Sequence, residues 1–207
     1  PVSDEIANII LEIAEEELPK CGALMLSDYG KGVLSDDVLS RLIKLANDQK
    51  TPVVIDPKGR DYRCYRGAML ITPNRKELEQ ATGMQTNTDT NIIDACKHLI
   101  RTTGIEGVLV TRSSDGMSLI MCGQDAWHLP ADARAVFDVS GAGDTVAAAV
   151  SLSLAAGGGL KNAATLANSA AGIVVGKVGT ATVKMVEVLS TLSNGQINTA
   201  THSVLDE

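Results

Sequence analysis

Asp138-Val139-Ser140-Gly141-Ala142-Gly143-Asp144-Thr145, running directly into the small-residue stretch Val146 to Ala156, decides how the rest of this chain is read. Gly141, Ala142 and Gly143 carry minimal side chains, so backbone N–H groups can converge on one point at the start of a helix. There the unpaired amides and the helix dipole together favour an anion. Asp144 places a carboxylate inside that positive field. A simple helix cap needs neither the Gly-Ala-Gly before it nor a second aspartate six residues earlier. The combination points to a phosphoryl-transfer site.

Working outward, helical and strand patterns alternate. Asp4 to Leu18 carries a helical stripe of Ile6, Ile9, Ile10 and Ile13, closed by Pro19. Ala23 to Leu26 is a short apolar run. Ser35 then caps a helix bearing Val38, Leu39, Leu42 and Leu45, and Pro52 to Ile55 returns as a second strand, which makes a βαβ unit. Met69 to Thr72 is a third strand, Asn74 to Thr82 and Ile92 to Thr102 are helices, and Gly107 to Thr111 is a fourth strand. Continuous apolar strands predict a sheet covered on both faces. Gly116 to Met121 and Ala126 to Leu129 read as an antiparallel hairpin pair at one edge. Helices from Ala142 to Ala156 and from Leu160 to Val175 are rich in Ala and Gly, which suits either close packing on the sheet or nucleotide contact. A last helix, about Met185 to Leu192, precedes a polar stretch. Residues 1–194 are expected to form the domain and residues 195–207 a mobile tail.

Composition fits this α/β reading. With 207 residues, 44% of them hydrophobic but only 2% aromatic, the chain can bury an aliphatic, alanine-rich core. A net charge of -7 argues against non-specific nucleic-acid binding, which requires clustered Lys and Arg. Cys21, Cys64, Cys96 and Cys122 have no CxxC spacing, and His98, His128 and His202 add no metal pattern, so the cysteines read as reduced thiols. No long apolar run or signal-peptide layout is present, so neither a membrane nor nucleic acid is expected as a partner and the cytoplasm is the expected location.

The octapeptide resembles the DTxGAGD signature of the ribokinase family, the PfkB carbohydrate kinases, with Val139 and Ser140 at its variable places. Asp56-Pro57-Lys58-Gly59, Thr72 to Glu77, Val110 to Gly116 and Val178-Gly179-Thr180-Ala181 follow in that family's order and rough spacing. Leu26 to Gly32, Ile55 to Gly59 and Tyr65 to Ala68 resemble most its heptose-phosphate kinases. The resemblance implies a ribokinase-like three-layer α/β sandwich with a mainly parallel sheet. It also implies ATP and Mg²⁺ as cosubstrate and cofactor, an activating monovalent cation such as K⁺, and a sugar phosphate as acceptor. The acceptor it points to is D-glycero-D-manno-heptose 7-phosphate, phosphorylated at C1 on the way to ADP-heptose and lipopolysaccharide. Intact relatives are homodimeric, and bifunctional ones carry a fused nucleotidyltransferase domain whose HxGH-type motif is not in this chain. The family's early Gly-Gly-Asn sugar-binding segment and β-sheet lid are not in it either, so the resemblance covers the C-terminal part of the kinase domain.

By that resemblance Asp144 is the catalytic base and Gly141, Ala142 and Gly143 form the anion hole. Asn74 and Glu77 match an NxxE motif whose acidic residue organises water-bound Mg²⁺; the same spacing also makes an ordinary capping box. Thr111 and Arg112, at the end of a buried strand where α/β sheets place ligands, and Gly116 in the adjoining turn are nucleotide-side candidates. Asn168 lies where relatives line the adenine pocket, and a core hydrogen bond would explain it equally well. Asp28, Lys31 and Lys58 are substrate-side candidates because they follow two successive strands onto one sheet edge; solvated lysines are the plain alternative. Asp138, Ser140 and Gly179, with neighbours Val178 and Thr180, resemble the loop pair that binds the monovalent cation.

Other phosphate-binding patterns fail on spacing. Gly157-Gly158-Gly159-Leu160-Lys161 lacks the GxxxxGK[ST] order and follows a helix, and Val146 stands where a dinucleotide fingerprint needs a small residue. The reading that remains is a sugar kinase, of the heptose-phosphate type or another ribokinase-like type. A nucleotide-binding fragment without activity is the alternative from a different class.

Overall fold

The computed structural model describes residues 1–132 and 136–202, with side chains as far as Ser193. Six strands form one sheet in the order of the chain: β1 (Leu24–Ser27), β2 (Val53–Asp56), β3 (Leu70–Ile71), β4 (Gly107–Thr111), β5 (Met117–Met121) and β6 (Trp127–Leu129). The first four run parallel, while β5 and β6 turn back as an antiparallel hairpin. Seven helices accompany them: α1 (Asp4–Glu17), α2 (Asp36–Asp48), α3 (Arg75–Thr82), α4 (Asp89–Thr103), α5 (Ala142–Ala155), α6 (Leu160–Val175) and α7 (Met185–His202).

Strand alternation divides the core in two. Val53, Ile55, Val108 and Val110 face one way and pack with residues of α1, α2, α3 and α4. Val54 and Leu109, one residue out of step, face the other way and pack with α5, α6 and α7. Both faces are therefore covered, which makes the expected three-layer sandwich. On the second face the packing residues are small: Ala147, Ala149, Ala163, Ala164, Ala167 and Ala170 are buried between α5, α6 and the sheet. The alanine-rich composition thus serves close helix packing. Each fully buried Val, Leu or Ile contributes roughly 1.5–3 kcal/mol, so Val53, Val54, Ile55, Val108 and Leu109, all at 0% exposure, hold the sheet between its layers.

Local signals set most boundaries. Ser3, Ser35, Asn74 and Thr88 cap α1, α2, α3 and α4 by accepting the N–H of the third helical residue. Gly83 and Gly104 close α3 and α4 in the left-handed conformation. Two boundaries differ from the sequence expectation by three residues or more. Helix α4 starts at Asp89 rather than Ile92, because the Thr88 cap opens it before its first apolar residue. The polar stretch expected as a tail from 195 is helical as far as His202, continuing α7, since each added residue of a formed helix gains a backbone hydrogen bond. Residues 203–207 lie outside the described residues. Among the described residues no helix is long and apolar enough to cross a membrane.

Candidate active site

The C-terminal ends of β1, β2, β3 and β4 lie side by side, and the chain leaving each of them carries polar residues. Such an edge is where open parallel sheets place ligands, because the strand ends free backbone groups and the loops can diverge. The first turn of α5 comes to this same edge. The Tyr29 hydroxyl, on the loop after β1, donates to Asp144 Oδ1 at 3.2 Å.

At α5 the sequence reading is met residue by residue in placement. Gly141 is the N-cap with φ +77, a conformation that favours glycine, and Ala142, Gly143 and Asp144 are the first three helical residues. The Ala142 N–H turns back to the Val139 carbonyl at 3.2 Å. The N–H groups of Gly141 and Gly143 have no acceptor among the described residues, and Gly143 is exposed. Two of the three expected donors are thus open to an anion beside an exposed carboxylate.

The loop after β1 is fixed by Asp28. Its Oδ1 accepts the Gly30 N–H at 2.7 Å and its Oδ2 accepts the Tyr65 hydroxyl at 2.7 Å. Tyr65 is fully buried, and its oxygen also accepts the Lys58 N–H at 3.1 Å. One phenol therefore ties together the loops after β1 and β2. Lys31 is exposed between Gly30 and Gly32, both at positive φ. Lys58 lies beside Gly30, where an added Cβ would sit 3.6 Å from Lys58 Cγ. Asp28 and Lys58 are linked through Tyr65, while Lys31 is exposed on the loop beside them; both oxygens of Asp28 already have partners in the protein.

Across the ends of β2 and β3 stand Asp56, Lys58, Asn74 and Glu77. Asn74 and Glu77 form a reciprocal capping box, with Asn74 Oδ1 accepting the Glu77 N–H at 2.9 Å and Glu77 Oε2 accepting the Asn74 N–H at 3.0 Å. The other oxygen, Oε1, meets Lys58 Nζ at 3.2 Å. With Lys58 more than half exposed, that pair adds on the order of 0.5 kcal/mol or less to stability, so its interest is positional. Asp56 is the perturbed group: burial first, then the charges of Glu77 and Asp144, push its carboxyl up to about 6, against the opposing pull of Lys58 and Thr72. The Tyr62 hydroxyl, buried near Asp56 and Glu77, has no hydrogen-bond partner. A partly buried carboxyl whose proton affinity is raised by two neighbouring carboxylates, beside a hydroxyl without a partner among the described residues, is suited to a hydrated cation. Among the described residues no group of three His, Cys, Asp or Glu side chains is placed to ligate a metal directly.

On the nucleotide side, Asn74 and Thr111 are joined by a backbone bridge, with the Thr111 N–H donating to the Pro73 carbonyl at 3.0 Å. Ser113, two residues on, holds φ +56, an uncommon conformation for a residue with a side chain and one that clusters at functional turns. Gly116, at φ +85, is required by the turn: an added Cβ would lie 2.0 Å from the Leu129 carbonyl oxygen. Arg112 is buried, its guanidinium bound to Asp89 and to the Asp115 carbonyl. The Asn168 amide donates to the Pro130 carbonyl at 2.8 Å. Arg112 and Asn168 thus hold α4 and α6 to the sheet. Asp138 and Gly179 do converge: the Ser140 N–H, at 2.8 Å from Asp138 Oδ1, and the Gly179 N–H keep the Asp138 carboxyl below the usual range. An added Cβ on Gly141 would meet Thr180 Cγ2 at 3.3 Å, so the two loops touch.

Sequence reasoning assigned no role to Tyr29, Tyr65 or Asp56, although all three lie within runs that carried the resemblance. For Tyr29 and Asp56 the available signal was their position at a strand end, shared with the residues that were chosen; Tyr65, beyond the loop after β2, offered none.

With this geometry in view, the profile of the pfkB family carbohydrate kinases matches residues 4–186. The chain belongs to the pfkB family. This pfkB-family chain is 48% identical over 198 residues to "Bifunctional protein HldE" of Rhodospirillum rubrum, covering 96% of the chain and 40% of that protein. It is 53% identical over 181 residues to the protein of the same name from Paramagnetospirillum magneticum, covering 87% and 37%. The chain therefore spans about two fifths of the length of the curated relatives it matches. Among solved structures, Arabidopsis thaliana ribokinase complexed with ribose and ATP superposes with a TM-score of 0.76 at 26% identity, over 92% of this chain and 59% of that one. Phosphofructokinase-2 from Escherichia coli, in complex with potassium, gives 0.75 at 18% identity over 89% and 61%, a likeness of fold. The ribokinase-like sandwich is thus shared with pfkB-family kinases.

Proposed function

We propose that this chain is part of a kinase that transfers the γ-phosphoryl group of MgATP to the C1 hydroxyl of D-glycero-D-manno-heptose 7-phosphate, giving the 1,7-bisphosphate and ADP. The observation that carries the reading is the open first turn of α5, where Asp144 and the free N–H groups of Gly141 and Gly143 face the same sheet edge as the loops after β1 and β2. The 44–53% identity to proteins named HldE supports the heptose-phosphate acceptor over other sugars. The ATP in the ribokinase complex supports the nucleotide.

Asp144 accepts the proton of the attacking hydroxyl. A carboxylate is a weak base for an alcohol, so the proton moves late, once the oxygen has begun to bond to phosphorus. The N–H groups of Gly141 and Gly143 stabilise the charge on the transferring group, and they are already oriented before reaction. Lys31 and Lys58 supply positive charge for phosphate oxygens on the acceptor side. A bound magnesium would supply positive charge for the phosphates; Glu77 and Asp56 would hold its waters, with the Tyr62 hydroxyl beside them. Asp138, Ser140 and Gly179 frame the loop pair for a monovalent cation such as K⁺. The intact protein acts in the cytoplasm, where ATP is supplied.

The test is ADP release from MgATP by the full-length protein over heptose 7-phosphate, ribose, fructose and fructose 6-phosphate, with Asp144→Asn beside it. Turnover confined to the heptose phosphate and lost in the variant is the expected result. Turnover with another sugar would move the assignment within the family, and an active Asp144→Asn would remove the base.

A further inference from the structure

The contact between Tyr29 and Asp144 joins the loop after β1 to the first turn of α5 across 115 residues of sequence. Core packing does not account for Tyr29, which is 63% exposed. Its backbone, however, is firmly held. Asp28, immediately before it, has both carboxylate oxygens bonded, to the Gly30 N–H and the Tyr65 hydroxyl. The Gly32 carbonyl accepts the Val2 N–H at 2.9 Å. A ring projecting into solvent from a pinned loop delivers its hydroxyl to a defined point, and that point is Asp144 Oδ1.

Asp144 has little else to hold it. Among the described residues the bond from Tyr29 is the one side-chain hydrogen bond Asp144 makes, so without Tyr29 the carboxylate would turn among its rotamers. We infer that Tyr29 is a positioning residue: its phenol donates to Oδ1 of Asp144, fixes the carboxylate plane and leaves Oδ2 as the oxygen that meets the acceptor hydroxyl. Tyr29 keeps its proton throughout, so the proton of the acceptor hydroxyl ends on Asp144 alone. The exposed ring stands beside the acceptor and forms a wall of its pocket. This inference rests on the reading of Asp144 as the base and adds a second residue to it.

The experiment compares Tyr29→Phe and Asp144→Asn with the parent in the full-length protein, measuring ADP release from MgATP with heptose 7-phosphate, KM for each substrate and Tm. Tyr29→Phe removes only the hydroxyl. Its kcat should fall about tenfold, the scale of one hydrogen bond to a charged group, with KM for MgATP and Tm unchanged. A merely structural role would instead move Tm and the ATP KM together, and that result would overturn the inference. So would a Tyr29→Phe kcat within about twofold of the parent beside an inactive Asp144→Asn. An active Asp144→Asn is a separate failure, that of the base reading, and the Tyr29 role falls with it.

Discussion

The buried hydroxyl of Tyr65 donates to Asp28 Oδ2 at 2.7 Å, and through its bond from the Lys58 N–H the same oxygen couples the loops that leave β1 and β2. Acceptor-side residues lie on both loops, so this phenol sets their spacing. Tyr65→Phe leaves a half-buried carboxylate oxygen and a backbone N–H without this partner, at a cost of about 1 kcal/mol. Urea unfolding should show that loss. KM for the phosphorylated sugar should rise more than KM for ATP, and equal changes in both would argue against Tyr65 acting through the acceptor loops.

Glu77 has two tasks that one substitution separates. Glu77→Gln keeps an oxygen to accept the Asn74 N–H, so the capping box and α3 survive and stability changes by less than about 0.5 kcal/mol. The charge facing Asp56 and Lys58 is lost. Residues that orient a metal's surroundings typically contribute about 10–100-fold to its affinity, so the magnesium concentration for half-maximal turnover should rise by that factor. An unchanged magnesium requirement would leave Glu77 as a cap and nothing more.

Asp56 predicts a pH dependence of stability. Its carboxyl rises from 3.8 to about 6 on folding, through burial and then the charges of Glu77 and Asp144. The folded state therefore binds more protons than the unfolded chain between those values, and unfolding free energy falls as pH rises through that window. Above it, the ionised carboxylate is a standing cost, reduced by its partial access to water. In magnesium-free buffer Asp56→Asn should raise Tm at about pH 7.5 and give no gain at about pH 2.5, below both values, where the parent is protonated in both states. A gain of equal size at both pH values would show that charge is not the cause.

Gly116→Ala should act on folding before it acts on nucleotide. The residue holds φ +85 and ψ -130, and the added Cβ would meet backbone of Leu129 and Pro130 at 2.0 and 2.5 Å. The strain of that conformation and the clash together should exceed about 3 kcal/mol, read as a lower denaturation midpoint. A normal midpoint with a raised KM for ATP would instead make Gly116 a nucleotide contact with a tolerant backbone.

Much of the fold was legible because its signals are local. Val53-Val54-Ile55 reads as a strand buried on both faces, and Ser35 and Asn74 announce the helices they cap. Thr88 carries the same signal, but the first apolar residue of its helix comes later, so the start of α4 was placed late. The placement of Gly141-Ala142-Gly143-Asp144 at the start of α5 was legible for a similar reason: small residues before a helical run are a property of neighbours in the chain. Arg112 shows the limit. Its place at a strand end reads as a ligand position, yet Asp89 and the Asp115 carbonyl take its guanidinium.

The sequence by itself determined the sandwich, the strand ends that bear polar residues and the helix start that carries Asp144, because periodicity, caps and small-residue turns are properties of neighbouring residues. Only the tertiary structure decided that Tyr29 reaches Asp144, that Tyr65 occupies Asp28, and that Asp56, Glu77 and Asp144 share one electrostatic environment. Those relations join residues far apart in the chain, and hydrogen bonds and charge coupling depend on distance in space, which the packing of the layers sets.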